Sequence, residues 1–284
     1  MEKLTSLEQY YNYIKDSKKR CRISFSNMYC LPDEIERYIA LGRMYVEELD
    51  GGLAFFLDEE TYYKLCLSID ANASIQIPKV DRKVLCRYIY RENGLSELMN
   101  GINTQLIKNG FARVGKAIQI QGNPEDLLSK KKSIERGISI LNRNGFYICR
   151  AGENMIDEIE KLIESTKHIQ DFHSDYRTLE EKRENAVSGG YLCVVDKEEK
   201  LCAATVTWVK GSNANGDAIV VKDEYKRLGL APVLCYERMK YLQEYGVKKF
   251  TGWVQTDNEL SLRYHKSMEF QLGDRYADEW LKEV

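Results

Sequence analysis

Val221-Lys222-Asp223-Glu224-Tyr225-Lys226-Arg227-Leu228-Gly229-Leu230-Ala231-Pro232 is the stretch from which the rest of the chain is read. It begins at the end of a short apolar run, Ala218-Ile219-Val220-Val221, suited to a central strand. It ends in an amphipathic pattern that predicts a helix from Pro232 to Tyr245, with Leu234, Cys235, Met239 and Leu242 on one side. A strand end, a basic turn with a glycine and a helix start together make an anion cradle. The helix N-terminus offers unpaired N–H groups and partial positive charge, and Gly229 lets the backbone approach a pyrophosphate without a Cβ in the way. Small Ala231 widens that clearance, and Pro232 costs no hydrogen bond in the first turn. Taken alone, the stretch also reads as an ordinary strand-to-helix turn.

Outward from it, the second half has a clear order. Phe146 to Cys149 predicts a strand, and Met155, Ile156, Ile159, Leu162 and Ile163 mark one face of a helix. Thr178 with Glu181 is a capping-box signal for a helix through about Val187, closed by Gly189-Gly190. Tyr191 to Val195 and Leu201 to Val209 read as a hairpin. After the cradle come a strand from Lys249 to Gln255, a helix from Asn258 to Met268 and a terminal segment of less definite pattern. The class is α+β with a mixed sheet.

An internal boundary falls at Gln121-Gly122-Asn123-Pro124-Glu125, followed by a helical pattern from Glu125 to Arg143 read as a connector. The expected division is 1–122, 123–144 and 145–284. Before it lie a hairpin (Met44 to Leu49, then Leu53 to Leu57), a strand from Val84 to Tyr90 and a helix from Leu95 to Ile107. The order strand, helix, Gly110-Phe111, strand mirrors the end of the second half and hints at duplication. Gly51-Gly52 lies in the hairpin, and no second cradle is seen.

At 284 residues the chain has room for about two domains. With 42 Lys+Arg against 44 Asp+Glu, no footprint for nucleic acid or an anionic membrane appears. The 8 cysteines are scattered, with no C-x-x-C pair, and read as reduced core residues of a cytoplasmic protein. No metal site is expected, since His168 and His173 lack cysteines at ligand spacing. No apolar segment is long enough to span a bilayer.

The cradle gains weight from Thr256-Asp257-Asn258-Glu259-Leu260-Ser261-Leu262-Arg263-Tyr264-His265-Lys266-Ser267-Met268-Glu269-Phe270 after the next strand. Together the two stretches resemble the GNAT superfamily of acyl-CoA-dependent N-acyltransferases over about Phe146 to Val284. That family's first signature is Q/R-x-x-G-x-G/A on a strand-turn-helix. Its second is an Asn, a Ser and a Tyr or His on the following helix, ending in Gly-Phe. Lys226 stands where Gln or Arg is usual, and Glu269 replaces the glycine before Phe270. The resemblance implies a mostly antiparallel sheet flanked by helices, in two similar halves with a degenerate first half acting as substrate wall or interface.

It also implies acetyl-CoA as cosubstrate, with Ile219, Val220 and Val221 along the pantetheine arm. Lys226, Arg227, Leu228, Gly229, Leu230 and Ala231 would hold the pyrophosphate, and Asn258 would bond the cofactor or simply cap its helix. His265, where the family often has tyrosine, would act as general acid toward the thiolate. N–H groups near Val220 would polarise the carbonyl in a direct transfer to a small primary amine. Asp217, two residues before Ile219, would share its face and is the candidate base; otherwise it is a solvated strand-end carboxylate. His168 to Tyr176, with His173 and Asp175, would border the acceptor pocket or form a polar loop. The alternatives are an aminoacyltransferase of the tandem GNAT-like type and a non-catalytic acyl-CoA sensor.

Overall fold

The structure is a computed structural model that describes residues 1–91, 96–128, 131–166 and 177–284. The chain divides into two compact units: one holds Met1–Ala117 and Asp274–Val284, the other the described residues from Ile118 to Gly273. The helical segment read as a connector lies within the second unit, and the C-terminal stretch from Asp274 lies within the first.

The first unit contains β1 (Glu2–Lys3), α1 (Leu7–Arg20), β2 (Phe25–Ser26), α2 (Pro32–Ala40), β3 (Met44–Leu49), β4 (Gly52–Asp58), β5 (Tyr62–Ile69), β6 (Lys83–Arg91), α3 (Ser96–Lys108) and the start of β7 (Ala112–Gly122). Ser6 caps α1 by accepting from the Gln9 N–H. Pro32 opens α2, where the Glu34 carboxylate accepts from the Leu31 N–H at 2.8 Å. Leu53, Phe55 and Leu57 of β4 face the cluster under α1 and α2, while Ala54 and Phe56 face the cluster with Ile102 and Leu106 of α3. With both faces covered, the strand reads as one continuous apolar run.

The second unit continues with α4 (Pro124–Leu127), α5 (Lys131–Arg143), β8 (Tyr147–Arg150), α6 (Ile156–Thr166), α7 (Leu179–Val187), β9 (Tyr191–Val195), β10 (Leu201–Lys210), β11 (Asn213–Val221), α8 (Leu230–Glu244), β12 (Lys249–Gln255) and α9 (Glu259–Ser267). The last strand, β13 (Gln271–Lys282), pairs antiparallel with β6 of the first unit through its residues from Arg275. Thr178 and Glu181 form the capping box of α7. The sheet of the second unit runs β12-β11-β10-β9-β8, antiparallel except where β11 meets β12.

One face of that sheet packs on α8, α4 and α5 through Leu127, Ile134, Leu141, Val233, Leu234 and Leu242. The other packs on α6 and α7 through Ile156, Ile159, Leu162 and Ala186. Two covered faces leave the ends of the strands, and any gap between them, as the places where a ligand meets the backbone. Among the described residues no helix is long and apolar enough to cross a membrane, and no His, Cys, Asp and Glu side chains converge on a metal site. All eight cysteines are free thiols.

Candidate active site

Parallel pairing between β11 and β12 runs through Asn213, Ala214 and Asn215, opposite Lys249, Phe250 and Thr251, and stops there. At that point β11 carries a β-bulge. Ala218 faces Val206 and Gly216 faces Thr207 on β10, so Asp217 is the extra residue. The bulge resets the alternation of side chains: Ile219 and Val221, both at odd spacing from Ala214, pack with it toward α8, while Ala218 and Val220 pack toward α6. Gly216 is required here, because a Cβ would overlap the Phe250 ring.

Beyond the bulge, among the described residues, β11 pairs only with β10, and the Lys222 N–H closes that ladder on the Cys202 carbonyl at 3.0 Å. Backbone groups alternate sides along a strand, so Ile219 and Val221 turn their N–H and C=O away from β10 into the gap. Of the N–H groups near Val220, those of Ile219 and Val221 are therefore the ones turned to the gap, since Val220 itself faces β10. Asp217 does not share the face of Ile219 either. Its carboxylate lies 3.7 Å from Arg177, whose guanidinium sits 3.9 Å over the Trp208 ring on the α6 side. The period-two expectation fails because it assumed an unbroken strand.

From Val221 the chain makes a short turn of 3-10 helix at Asp223–Tyr225 and enters α8. Arg227 and Gly229 both have left-handed backbone, with φ of 66° and 81°. Gly229 is the N-cap, no side chain caps the helix, and a Cβ placed on it would meet nothing within 4 Å. The first N–H groups of α8 have no acceptor within the helix, and that end is open to solvent along Lys226 to Gly229. Leu230 is buried and anchors the turn, while Leu228 is exposed. Lys226 pairs with Asp223 at 2.5 Å and Lys222 with Glu158 at 3.1 Å. These exposed pairs are weak enough for a phosphate to compete for both lysines. A cavity of about 550 Å³ lies alongside, lined by Glu158, Lys161, Leu162 and Ser165 of α6 and by Val221, Lys222, Asp223, Glu224 and Lys226.

The following helix carries three further candidate residues. Asn258 caps α9 through its Oδ1, which accepts from the Ser261 N–H at 3.0 Å, leaving its amide nitrogen for another acceptor. Tyr264 donates to the Ala231 carbonyl at 3.0 Å and ties α9 to the first turn of α8. His265 is 6% exposed, packed between the Tyr264 and Phe270 rings. Its Nδ1 lies 2.7 Å from the Ser261 carbonyl, which can only accept, so Nδ1 carries the proton. Burial, aided by the nearby Arg238 charge, pushes the imidazole down to about 4. At neutral pH the ring is neutral with its one proton engaged, an arrangement that supplies no general acid. Sequence reasoning put the residue on α9, where it lies, but could not see which atom Ser261 would hold. Glu269 adopts φ of 66°, so the turn before Phe270 keeps the left-handed form a glycine would give it. His168, His173 and Asp175 lie outside the described residues.

The first unit repeats this geometry with different contents. Its parallel strands β5 and β6 pair from Tyr62↔Lys83 to Leu65↔Cys86 and then part. Here the chain itself fills the gap. Phe25 and Ser26 pair with Ile69 and Ser68 of β5. The side chain of Asn27, 2% exposed, donates to the Leu65 carbonyl at 3.2 Å and the Arg87 carbonyl at 2.7 Å, and accepts from the Leu67 N–H at 2.6 Å. The Tyr29 hydroxyl accepts from the Ile89 N–H at 2.7 Å. No helix follows β5 before β6 begins. On α3, buried Leu106 stands where His265 stands on α9: the Phe111 N–H bonds its carbonyl at 3.0 Å, as the Phe270 N–H bonds that of His265.

Residues 156–270 match the family model described as the acetyltransferase (GNAT) family. No curated protein matches the sequence. Among solved structures, a tandem GNAT protein from the clavulanic acid biosynthesis pathway aligns with a TM-score of 0.59 at 11% identity, over 98% of this chain and 94% of that one. The GCN5-related glucosamine N-acetyltransferase region of a fungal multi-domain β-N-acetylglucosaminidase gives 0.57 at 10% identity, over 81% of this chain and 31% of that one. A Drosophila protein gives 0.51 at 12% identity, over 82% and 74%. At such identities the likeness is one of fold.

Proposed function

We propose that the GNAT domain at residues 156–270 makes this chain an acetyl-CoA-dependent N-acetyltransferase, acting on a small primary amine by direct transfer in a ternary complex. One coincidence carries the reading. The strand whose edge is opened by the bulge at Asp217 is also the strand that turns through left-handed Gly229 into an uncapped helix start.

Bound acetyl-CoA supplies an activated thioester; the protein supplies its placement. The Ile219 and Val221 backbone groups hold the pantetheine arm as an added strand, with Val220 between them facing β10. Lys226 to Ala231 hold the pyrophosphate by backbone N–H groups and the helix dipole. Asn258 offers its amide nitrogen. Asp217, at the bulge, takes the proton of the attacking amine. In this reading the unit of Met1–Ala117 and Asp274–Val284 is a second GNAT-like half without a cradle, and the unit from Ile118 to Gly273, with the helices first read as a connector in its core, carries the chemistry. The free thiols and near-neutral charge fit a cytoplasmic enzyme without nucleic-acid or membrane partners.

Thermal melts with acetyl-CoA, CoA and ATP test it. At a hundredfold excess over Kd a single site stabilises by about 2.7 kcal/mol, a readily measured rise in melting temperature. Acetyl-CoA and CoA should give it and ATP far less. A side chain on Gly229 would stand in the space left for the pyrophosphate, so Gly229→Glu should lose the response. No response to acetyl-CoA, or a full response from Gly229→Glu, sinks the reading. Release of free thiol on adding a panel of amines then separates a transferase from a binding-only sensor.

A further inference from the structure

We propose that Arg238 of α8 is the cation that stabilises the departing CoA thiolate, an inference that rests on the acyltransferase reading above. Among the described residues it is the one lysine or arginine that is fully buried, 3% exposed within an otherwise apolar cluster. Its neighbours on that side of α8 are Leu234, Cys235 and Leu242, where a leucine would ordinarily fill the space. No carboxylate of the described residues lies within 4 Å of its guanidinium. Nη1 donates to the Thr205 hydroxyl at 3.0 Å and Nη2 contacts the Cys235 sulfur at 3.8 Å. The guanidinium carbon lies 4.5 Å from the centre of the Phe250 ring, and Nε is buried with no partner. The Thr207 hydroxyl, opposite Gly216 in the ladder, is also buried and unpartnered.

The place of this cation fixes the anion it meets. A Cβ on Gly216 would come within 3.3 Å of Nη1, so the guanidinium lies at the point where β11 and β12 part, the inner end of the gap. The titratable groups facing it are Cys235 on its own helix and Tyr264 and His265 on α9, both of which feel its charge; Thr205, Gly216 and Phe250 face it from the sheet. The pyrophosphate is too distant, since nine residues of helix from Gly229 span about 13 Å. Burying an unpaired guanidinium costs several kcal/mol, which an anion arriving during the reaction offsets.

In the transfer the amine nitrogen bonds to the acyl carbon and the C–S bond breaks. The electron pair leaves on sulfur, the amine proton goes to the base, and the thiolate is later protonated by solvent. His265 holds its proton toward Ser261 and has none to give, so the charge on sulfur is met by a fixed cation.

The bound CoA thiol reports this without any acceptor. Its ionisation is followed by thiolate absorbance at 240 nm against pH, with free CoA alongside, in the wild type, Arg238→Lys and Arg238→Met. A cation within contact distance lowers such a pKa by about 1–3 units. The wild type and Arg238→Lys should show that depression, and Arg238→Met should lose it. Should Arg238→Met not fold, Arg238→Gln carries the same comparison. Without ligand, the neutral variant should melt no lower than the wild type, because an unpaired buried charge has been removed. CoA bound with the same thiol titration in the wild type and the neutral variant overturns the proposal alone. Failure of CoA to bind the wild type overturns it together with the acyltransferase reading.

Discussion

Protonating His265 in the folded protein means placing a charge among Tyr264, Phe270 and the Arg238 guanidinium, while in the unfolded chain it means only hydrating an imidazole. The ring therefore titrates near 4 when folded against an ordinary value near 6.5. Between those values the unfolded state binds the extra proton, so stability falls as pH drops from about 6.5 to about 4, by up to about 3 kcal/mol, and is fully present above 6.5. Melting temperatures over pH 4–7.5 should show this slope, and His265→Gln should flatten it. An unchanged slope would mean that the ring is not held neutral. The position of this histidine was legible as one member of a spaced set, but its protonation state was not. That state depends on one carbonyl and two rings brought to it by the fold.

At the scale of elements, α9 begins at Asn258, which caps the helix and for which the proposed function adds a contact to acetyl-CoA. Asn258→Ala removes the cap to the Ser261 N–H and should cost about 1 kcal/mol of stability. Asn258→Asp keeps an oxygen for that cap and removes only the amide donor. The aspartate variant should thus melt like the wild type while showing a smaller acetyl-CoA response, and the alanine variant should fall in both. Equal acetyl-CoA responses in wild type and Asn258→Asp would leave the residue as a cap only. Elements with a strong period or cap were readable: α7 from Thr178 and Glu181, the β9–β10 hairpin, and α8, which starts two residues earlier than its proline suggested. The helical pattern from Glu125 resolved among the described residues into α4 and α5. Helices α1 and α2 and strand β5 went unread. Tyrosine and charged residues blur the apolar stripe of α1, and β5 is buried almost throughout, so neither shows a clean alternation. The bulge at Asp217 gave no signal either, because one extra residue is invisible until the partner strand is known.

Across the whole chain, each unit has parallel strands that part and a helix that returns through a left-handed residue to an aromatic, Gly110-Phe111 in one and Glu269-Phe270 in the other. The order strand, helix, Gly-Phe, strand was the visible trace of this repetition. What fills the two gaps differs, and the proposed function divides with it. Calorimetric titration should give one acetyl-CoA per chain, since Asn27 and Tyr29 already take the backbone groups that the other unit leaves open. A stoichiometry of two would refute that division. Asn27→Ala strands several buried backbone groups at once and should cost on the order of 2–4 kcal/mol without altering the stoichiometry. By itself the sequence determined the strand, turn and helix from Val221 to Pro232, the extent of α9 and the likeness to a family, because those rest on local spacing along one strand and two helices. Tertiary structure alone decided which strand edge is open, which face Asp217 occupies, that His265 is neutral, that Arg238 is buried without a counter-ion among the described residues, and that Ser24 to Tyr29 close the other gap. Each of these depends on residues far apart in the chain, and burial and hydrogen bonding exist only once those residues meet.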